Sequence, residues 1–323
     1  MKKALIVGIN DYSFGRLDCS VNDAIAINDL LSRHSNGEKN FHTKLLLNND
    51  ATKYNLLESL AELLFDETMD TVLFYFSGHG FDNDLDGSIV TFDATNTEPG
   101  IRMTDILKYI NQSKINNKII ILDCCYSGKF GNPGIIGDCS ILPEGTTILT
   151  ASGKRQTAFE INGHGVFTNL LIEALKGGAS DILGRVTPGS VYSYIDQALS
   201  NWEQRPIFKT NVSRFVVLRK NEEKIGCEII RKLTELFPSK DFEFPLDPSF
   251  EPTNTENSVH YHHEPYAQPE KVTIFEMLQQ YNRQGLVIPF DSKHMYYAAM
   301  ESKGCKLTSL GKHYWNLTKK DII

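Results

Sequence analysis

Two stretches of the sequence decide the fold: TVLFYFSGHG at residues 71–80 and KIIILDCCYSG at residues 118–128. Each begins as a continuous apolar run, which is typical of a strand buried on both faces of a sheet. Each run then ends in a polar cluster that contains glycine. The two clusters should therefore lie at the carboxyl ends of strands, which is the edge of an open parallel sheet where ligands bind.

The same pattern continues along the first two thirds of the chain, where apolar runs alternate with stretches of helical periodicity. Strands that alternate with helices predict an α/β fold with a mostly parallel central sheet flanked by helices. The further strands are expected at 3–9, 44–47, 146–150 and 213–218, and the helices near 21–33, 53–65, 104–113, 166–177 and 190–202.

His79 and Cys125 each follow a strand end, and they are 46 positions apart. A lone cysteine at a strand end is more often a buried apolar residue, and a lone histidine between glycines is more often a turn residue. Their joint occurrence favours a nucleophile beside an imidazole. The backbone N–H groups of Gly80 and Cys125 are the candidate donors to a developing oxyanion.

The motifs SGHG and DCCYSG resemble those of the caspase and metacaspase clan of cysteine peptidases, which place the catalytic histidine about 50 residues before the cysteine. The resemblance covers about residues 1–220 and includes ALIVGINDY, CSVNDA, TASGKRQTAFE, GVFTNLLIEAL and QRPIF. It implies a caspase-like fold and a cysteine endopeptidase, a hydrolase that uses His79 and Cys125 with no third member and no cofactor. Cys124 matches a variable position and is expected to be a packing residue.

The resemblance to the metacaspase-like branch also implies a substrate pocket lined by Asp23 and Asp123. Two carboxylates in one pocket favour Arg or Lys in the substrate by charge complementarity. The chain has no match to the QACxG motif, which argues against aspartate specificity. The alternatives remain open: Asp23 as a residue that interacts with a helix dipole, and Asp123 as a hydrogen-bonding residue at a strand end.

From Asp241 to Glu270 the chain contains no Lys or Arg. An exposed linker of a protease with basic specificity would survive better without them, although acidic arms commonly lack basic residues as well. Lys129, Lys154 and Arg155 are candidate self-cleavage points near the site. The short stretch between Gly128 and Thr146 predicts a protease that is active as one chain.

Two clusters resemble metal sites, but no metal is expected at either. Asp82, Asp84 and Asp86 begin like a calcium-binding loop, but position 93 is Asp93 where the ligating glutamate would stand. A calcium-dependent activation, known in some metacaspases, remains the alternative. The histidines of the Pro-rich segment, His260, His262 and His263, have no cysteine or carboxylate partner at fixed spacing.

The composition changes near residue 238, and six of the twelve prolines lie between Pro238 and Glu270. The sequence therefore predicts a peptidase domain at 1–220, a connecting helix at 221–237, a Pro-rich acidic linker at 238–270, and a smaller α-rich domain at 271–323. In the last domain, LTSLGKHY resembles a winged-helix module. The alternative for that stretch is a solvated helix with Tyr314 and Trp315 packed as core.

The composition of the 323 residues limits the classes of partner that the protein is expected to bind. A net charge of −7 makes nucleic acid an improbable partner, no apolar run is long enough to cross a membrane, and six cysteines without paired spacing suit a cytoplasmic location. The expected partners are a protein or peptide substrate and a regulator, either a nucleotide second messenger or an activating protein. By analogy of architecture, a prokaryotic stress or antiviral defence role is expected. Two further hypotheses remain open, a non-catalytic scaffold and a sensor of nucleotides or nucleic acid.

Overall fold

The computed structural model describes residues 1–82, 86–124, 142–151, 160–161, 163–199, 206–259 and 261–323, with residues 160 and 161 described by their backbone alone. The chain divides into two compact units, Met1–Glu222 and Glu223–Ile323. None of the helices in these ranges is both long and apolar enough to cross a membrane.

The described residues of the first unit form five α-helices and a set of strands of very different lengths. The helices are α1 (Ser20–Ser32), α2 (Lys53–Leu64), α3 (Met103–Gln112), α4 (Val166–Glu173) and α5 (Pro188–Ala198). The strands are β1 (Lys2–Gly8), β2 (His42–Leu47), β3 (Thr71–Ser77), β4 (Gly80–Asp82), β5 (Gly87–Val90), β6 (Gly100–Arg102), β7 (Asn117–Asp123), β8 (Thr146–Thr150), β9 (Glu160–Ile161), β10 (His164–Gly165), β11 (Arg185–Val186), β12 (Ile207–Asn211) and β13 (Arg219–Lys220).

Six of these strands form the central sheet, in the order β12-β8-β7-β3-β1-β2. Every neighbouring pair is parallel except the pair of β12 with β8, which is antiparallel. The mostly parallel sheet predicted from the alternating pattern is thereby confirmed, and five of its six strands lie where the sequence places them.

The strands have continuous apolar runs because helices pack on both faces of the sheet. Every residue of β3 is buried. Phe74 and Phe76 belong to one core cluster, which includes apolar residues of α2 and α3. Leu73 and Tyr75 belong to the other, which includes residues of α1, α4 and α5. Because successive side chains of a strand point to opposite faces, a strand covered twice has no polar alternation.

The prediction of a strand at 213–218 is wrong, because the sixth strand of the sheet is β12, at Ile207–Asn211. β12 begins directly after Pro206, a residue that lacks the N–H of a ladder and is accepted at a strand start. Two apolar residues of the predicted strand pack instead in the core on the α1, α4 and α5 face of the sheet, where Leu218 is buried and Val216 packs against the cluster.

The second unit, Glu223–Ile323, combines a small antiparallel sheet with helices. Its sheet has the order β14-β16-β15. Tyr314 and Trp315 are buried, and the Trp315 indole N–H donates to Phe237 O at 2.7 Å. Their expected packing as core is confirmed. The strands are β14 (Glu243–Pro245), β15 (Val287–Phe290) and β16 (Gly304–Leu307), and the helices are α6 (Cys227–Arg231), α7 (Leu233–Leu236), α8 (Pro269–Arg283), α9 (Met295–Met300) and α10 (Ser309–Lys319).

The segment 238–270, for which the sequence suggests a loosely ordered linker, is largely built into this unit. β14 pairs with β16, and Asn254 is 1% exposed. The Asn254 amide nitrogen lies within hydrogen-bonding distance of the Pro248, His263 and Pro265 carbonyl oxygens. The buried Asn254 side chain therefore joins backbone segments that have no apolar periodicity. Structure that is held by a single buried amide cannot be predicted from a hydrophobic pattern.

Candidate active site

The two polar clusters lie side by side, because β3 and β7 are neighbours in the sheet. Their register pairs Ser77 with Asp123, and the Gly78 N–H donates to the Asp123 carbonyl oxygen at 3.3 Å. His79 therefore comes two residues after one strand end, and Cys125 comes two residues after the matched end of the next. Cys125 itself lies outside the described residues.

Contacts on three sides hold His79. Its backbone N–H donates to the Tyr12 hydroxyl at 3.1 Å, and its ring Nε2 lies 2.8 Å from the Gly15 carbonyl oxygen. The ring centroid is 4.7 Å from that of Tyr12 and 5.7 Å from that of Phe14. With Nε2 protonated and donating to Gly15, the lone pair of the neutral imidazole is on Nδ1.

Tyr12 is a functional residue that the sequence reasoning missed. It is 7% exposed, and burial raises its pKa well above the usual range, so its hydroxyl stays protonated and donates to Val90 O at 3.2 Å. The same hydroxyl accepts the His79 N–H. The only signal in the sequence is the position of this tyrosine in ALIVGINDY, because its partners are 67 and 78 residues away.

Gly80 opens β4 directly after His79. Its register partner in β5 is Ile89, and the Val90 N–H donates to His79 O at 3.0 Å. Bonded and non-bonded pairs alternate in an antiparallel ladder, so the Gly80–Ile89 pair is of the non-bonded kind. The Gly80 N–H consequently points away from β5.

Asp23 and Asp123 meet at one place. Asp23 lies in the first turn of α1 and is 1% exposed, while Asp123 ends β7 and is half-buried. A Cβ atom added to Gly165 would lie 3.6 Å from Asp23 Oδ2 and 3.2 Å from Asp123 Oδ2. The structure therefore brings these two sequence-predicted residues together beside the backbone of Gly165.

Hydrogen bonds orient both carboxylates. Asp23 accepts from the Ser77 hydroxyl at 3.2 Å, and its Oδ1 lies 2.7 Å from His164 Nδ1. Asp123 accepts from the Thr168 hydroxyl at 2.6 Å, and the same hydroxyl lies 2.7 Å from the Tyr75 hydroxyl. Sequence reasoning missed His164 and Thr168, which are 141 and 45 residues from the carboxylates that they contact.

Burial shifts the titration of both acids. It raises the pKa of Asp23 to about 7, with a further rise from the charge of Asp123, while His164 and Ser77 act in the opposite direction. Burial also raises the pKa of Asp123, against the hydrogen bond from Thr168. Two carboxylates this close favour a shared proton or a nearby cation.

Cys124 packs in the core on the α2–α3 side of the sheet and is 7% exposed. Its expected role as a packing residue is confirmed. The candidate self-cleavage points Lys129, Lys154 and Arg155 lie outside the described residues.

The clusters that resemble metal sites do not form one in the described part of the chain. No group of three or more described His, Cys, Asp or Glu side chains is placed to hold a metal ion. His263 has both ring nitrogens engaged, with Nδ1 2.9 Å from Glu264 O and Nε2 3.1 Å from Met300 O. Asp84 and His260 lie outside the described residues.

The comparison with protein families decides the assignment of the first unit. Residues 1–217 match the peptidase C14 family model, described as the caspase domain.

The chain belongs to the caspase-domain family of peptidases.

The caspase domain ends five residues before the boundary between the two units, so the second unit lies outside the match. The winged-helix resemblance of the second unit stays a prediction. A protein from Geobacter sulfurreducens with a solved crystal structure is 16% identical, with a TM-score of 0.48, over 69% of this chain and 97% of that one. No curated protein matches the chain.

Proposed function

We propose that this caspase-family chain is an active cysteine endopeptidase that cleaves after Arg or Lys, with Cys125 as nucleophile and His79 as its imidazole partner. The observation that carries the proposal is the pair of carboxylates, Asp23 of α1 and Asp123 at the end of β7, which lie together beside Gly165, and Asp123 comes two residues before Cys125. A pocket with two acids accepts a cationic side chain and repels an acidic one.

The proposed reaction is a two-step acyl transfer. The Cys125 thiolate attacks the scissile carbonyl carbon, and the N–H groups of Gly80 and Cys125 stabilise the resulting oxyanion. The C–N bond breaks as protonated His79 gives its proton to the leaving amine. Water then hydrolyses the thioester and restores the thiol. Within the described ranges, the contacts that hold His79 are with Tyr12 and Gly15, and neither is a carboxylate.

The preference for basic residues is supported by the charges around the pocket. Among the described residues, Lys and Arg side chains form their ion pairs with other acids, and the ion-pair partner of Asp23 is His164. No Lys or Arg side chain of the described residues pairs with Asp23 or Asp123, and a substrate guanidinium or ammonium would supply such a cation.

The test is hydrolysis of fluorogenic peptides that carry Arg, Lys or Asp before the reporter group. We expect cleavage after Arg and Lys, a loss of at least about a thousandfold in kcat for Cys125→Ala and for His79→Ala, and no cleavage after Asp. Cys124→Ala is the matched control, since it removes the neighbouring thiol from the core and should retain activity. Activity that survives in Cys125→Ala would contradict the proposal.

The competing function, a non-catalytic scaffold of caspase fold, predicts no hydrolysis under any condition. The fixed orientation of His79 favours the enzyme, because a scaffold gains nothing from holding an imidazole in place. An uninduced enzyme is also silent, so the assay is repeated with candidate activators.

We also propose that the second unit regulates the peptidase by binding an activator, in a prokaryotic stress or defence response in the cytoplasm. It contains a pocket with a volume of about 650 Å³. The lining residues are Thr253, Tyr261, Tyr296, Tyr297, Met300 and Glu301. Tyrosine faces and a carboxylate suit a basic side chain better than an anionic nucleotide, so an activating protein is favoured over a nucleotide second messenger.

The choice between these activators is tested on the full-length Cys125→Ala protein. Calorimetric titration with cyclic dinucleotides and with an Arg-containing peptide should give binding to the peptide alone, and Tyr297→Ala should weaken it. Binding of the dinucleotide alone would reverse the assignment. The third hypothesis, a nucleic-acid sensor, has less support because Lys303 and Lys312 of the C-terminal region pair with Asp291 and Asp241.

A further inference from the structure

A short β-hairpin, which no pattern in the sequence predicts, places His164 beside the two carboxylates Asp23 and Asp123. β9 and β10 pair around Gly163, whose φ of 77° lies in the left-handed region that glycine favours. Helix α4 begins at Val166, directly after the hairpin. The backbone at Gly165 passes so close to Asp123 that an added Cβ would be 3.2 Å from the carboxylate.

The contact between His164 and Asp23 is short and specific. Nδ1 of the ring lies 2.7 Å from Asp23 Oδ1, and the side chain of His164 is 22% exposed against 2% for Asp23. This bond occupies Oδ1 and leaves Oδ2 on the side of Gly165, where Asp123 Oδ2 also lies. Asp23 Oδ2 already accepts from the Ser77 hydroxyl at 3.2 Å, and Asp123 Oδ2 accepts from the Thr168 hydroxyl at 2.6 Å. Because a carboxylate oxygen has two lone pairs, each Oδ2 atom can accept a further hydrogen bond from a substrate.

We propose that His164 is a positioning residue that determines specificity: its hydrogen bond to Asp23 Oδ1 holds that carboxylate with Oδ2 turned toward Asp123, so that the pair accepts a basic side chain. The proposal rests on the proposed function, since it concerns the pocket of that enzyme. His164 does not touch the scissile bond. Its effect is on how well substrates with Arg or Lys bind.

Among the described groups that face Asp23, His164 is the one suited to stabilise its charged form. Ser77 from β3 donates a neutral hydrogen bond, Asp123 from β7 adds a negative charge, and Tyr75 is a buried phenol with its pKa raised well above the usual range. Of these described neighbours, His164 from β10 is the group that can carry a positive charge. Without it, the pKa of Asp23 should rise further, and a larger fraction of Asp23 should be protonated near neutral pH.

The test compares His164→Ala and His164→Asn with the wild type on three substrates that differ only in the residue before the cut: Arg, Lys and the neutral arginine isostere citrulline. His164→Ala should raise KM for Arg and Lys about tenfold, with kcat changed less than about twofold. The citrulline substrate should not be affected. The acid limb of kcat/KM for Arg should move to higher pH.

His164→Asn separates positioning from a general loss of structure, because its amide nitrogen can replace Nδ1 as donor to Asp23. It should recover most of the affinity for Arg. An equal loss on all three substrates, or no change in His164→Ala, would overturn the role of His164. If the wild type itself shows no preference for Arg over citrulline, then the proposed basic specificity fails, and the role of His164 fails with it. If the preference is present and survives in His164→Ala, only this inference fails.

Discussion

At the scale of single residues, the site depends on polar contacts between side chains that are distant in sequence. His79 and Asp123 follow from motifs at strand ends, and Asp23 follows from the CSVNDA motif at the start of α1. Tyr12 and His164 do not, because each acquires its role through a partner more than 60 residues away. Sequence patterns reveal periodicity and local motifs. They do not reveal contacts between side chains that are distant in sequence, such as those of Tyr12 and His164.

Asp23→Asn should change how stability depends on pH. The pKa of Asp23 is raised to about 7 in the folded protein, whereas an unfolded aspartate titrates near pH ~4. Between these values the folded state holds a proton that the unfolded state has lost, so stability falls as the pH rises through this range. The variant has no such titration and should gain about 4 kcal/mol relative to wild type at pH 8 compared with pH 4.

The measurement is the free energy of unfolding in urea across this pH range. Asp29→Asn, an exposed position on the same helix, is the control and should follow the wild-type profile. Parallel profiles for Asp23→Asn and wild type would show that the pKa of Asp23 is not raised.

Tyr12→Phe should weaken both the fold and the catalysis. It removes the acceptor of the His79 N–H and the donor to Val90 O, at a cost of about 2 kcal/mol for two buried hydrogen bonds. We expect kcat to fall more than KM rises, because the ring of His79 loses its orientation. Tyr54→Phe, at a position that is 72% exposed, should change neither quantity. Equal behaviour of the two variants in denaturant and in kinetics would contradict the account.

At the scale of elements, the sequence predicts most of the first unit because its strands are buried on both faces. Continuous apolar runs identify β1, β3, β7 and β8 within a residue or two. The prediction fails for β12, whose residues at Ile207–Asn211 are half-buried or exposed. An edge strand of that kind has no continuous apolar run, so the apolar pattern indicates the next stretch along the chain, at 213–218, instead.

Gly78→Ala should disrupt the junction between β3 and the loop of His79. A Cβ atom there would collide with the Tyr12 hydroxyl and with the Phe76 ring at 2.9 Å. Overpacking of this kind costs about 2 kcal/mol, and urea denaturation measures it. Gly37→Ala provides the comparison, since nothing lies within 4 Å of its added Cβ and its φ is 84°, so that backbone strain alone costs about 1 kcal/mol. A smaller loss for Gly78→Ala than for Gly37→Ala would contradict the close contact.

At the scale of the whole molecule, the caspase domain has its own two cores, one on each face of the sheet. We therefore expect residues 1–222, expressed alone, to fold cooperatively and to show a single thermal transition. Calorimetry with circular dichroism would measure this. A fragment without a cooperative transition would mean that the second unit is needed for folding as well as for the proposed regulation.

The most direct test of the central claim is covalent labelling of the wild-type protein with two peptidyl acyloxymethyl ketones, one with Arg and one with Asp next to the reactive group. The modified residue is then located by peptide mass spectrometry. We expect a single adduct on Cys125 with the Arg reagent and none with the Asp reagent. The Cys125→Ala variant should form no adduct with either reagent. Labelling of Cys124, or faster labelling by the Asp reagent, would contradict it.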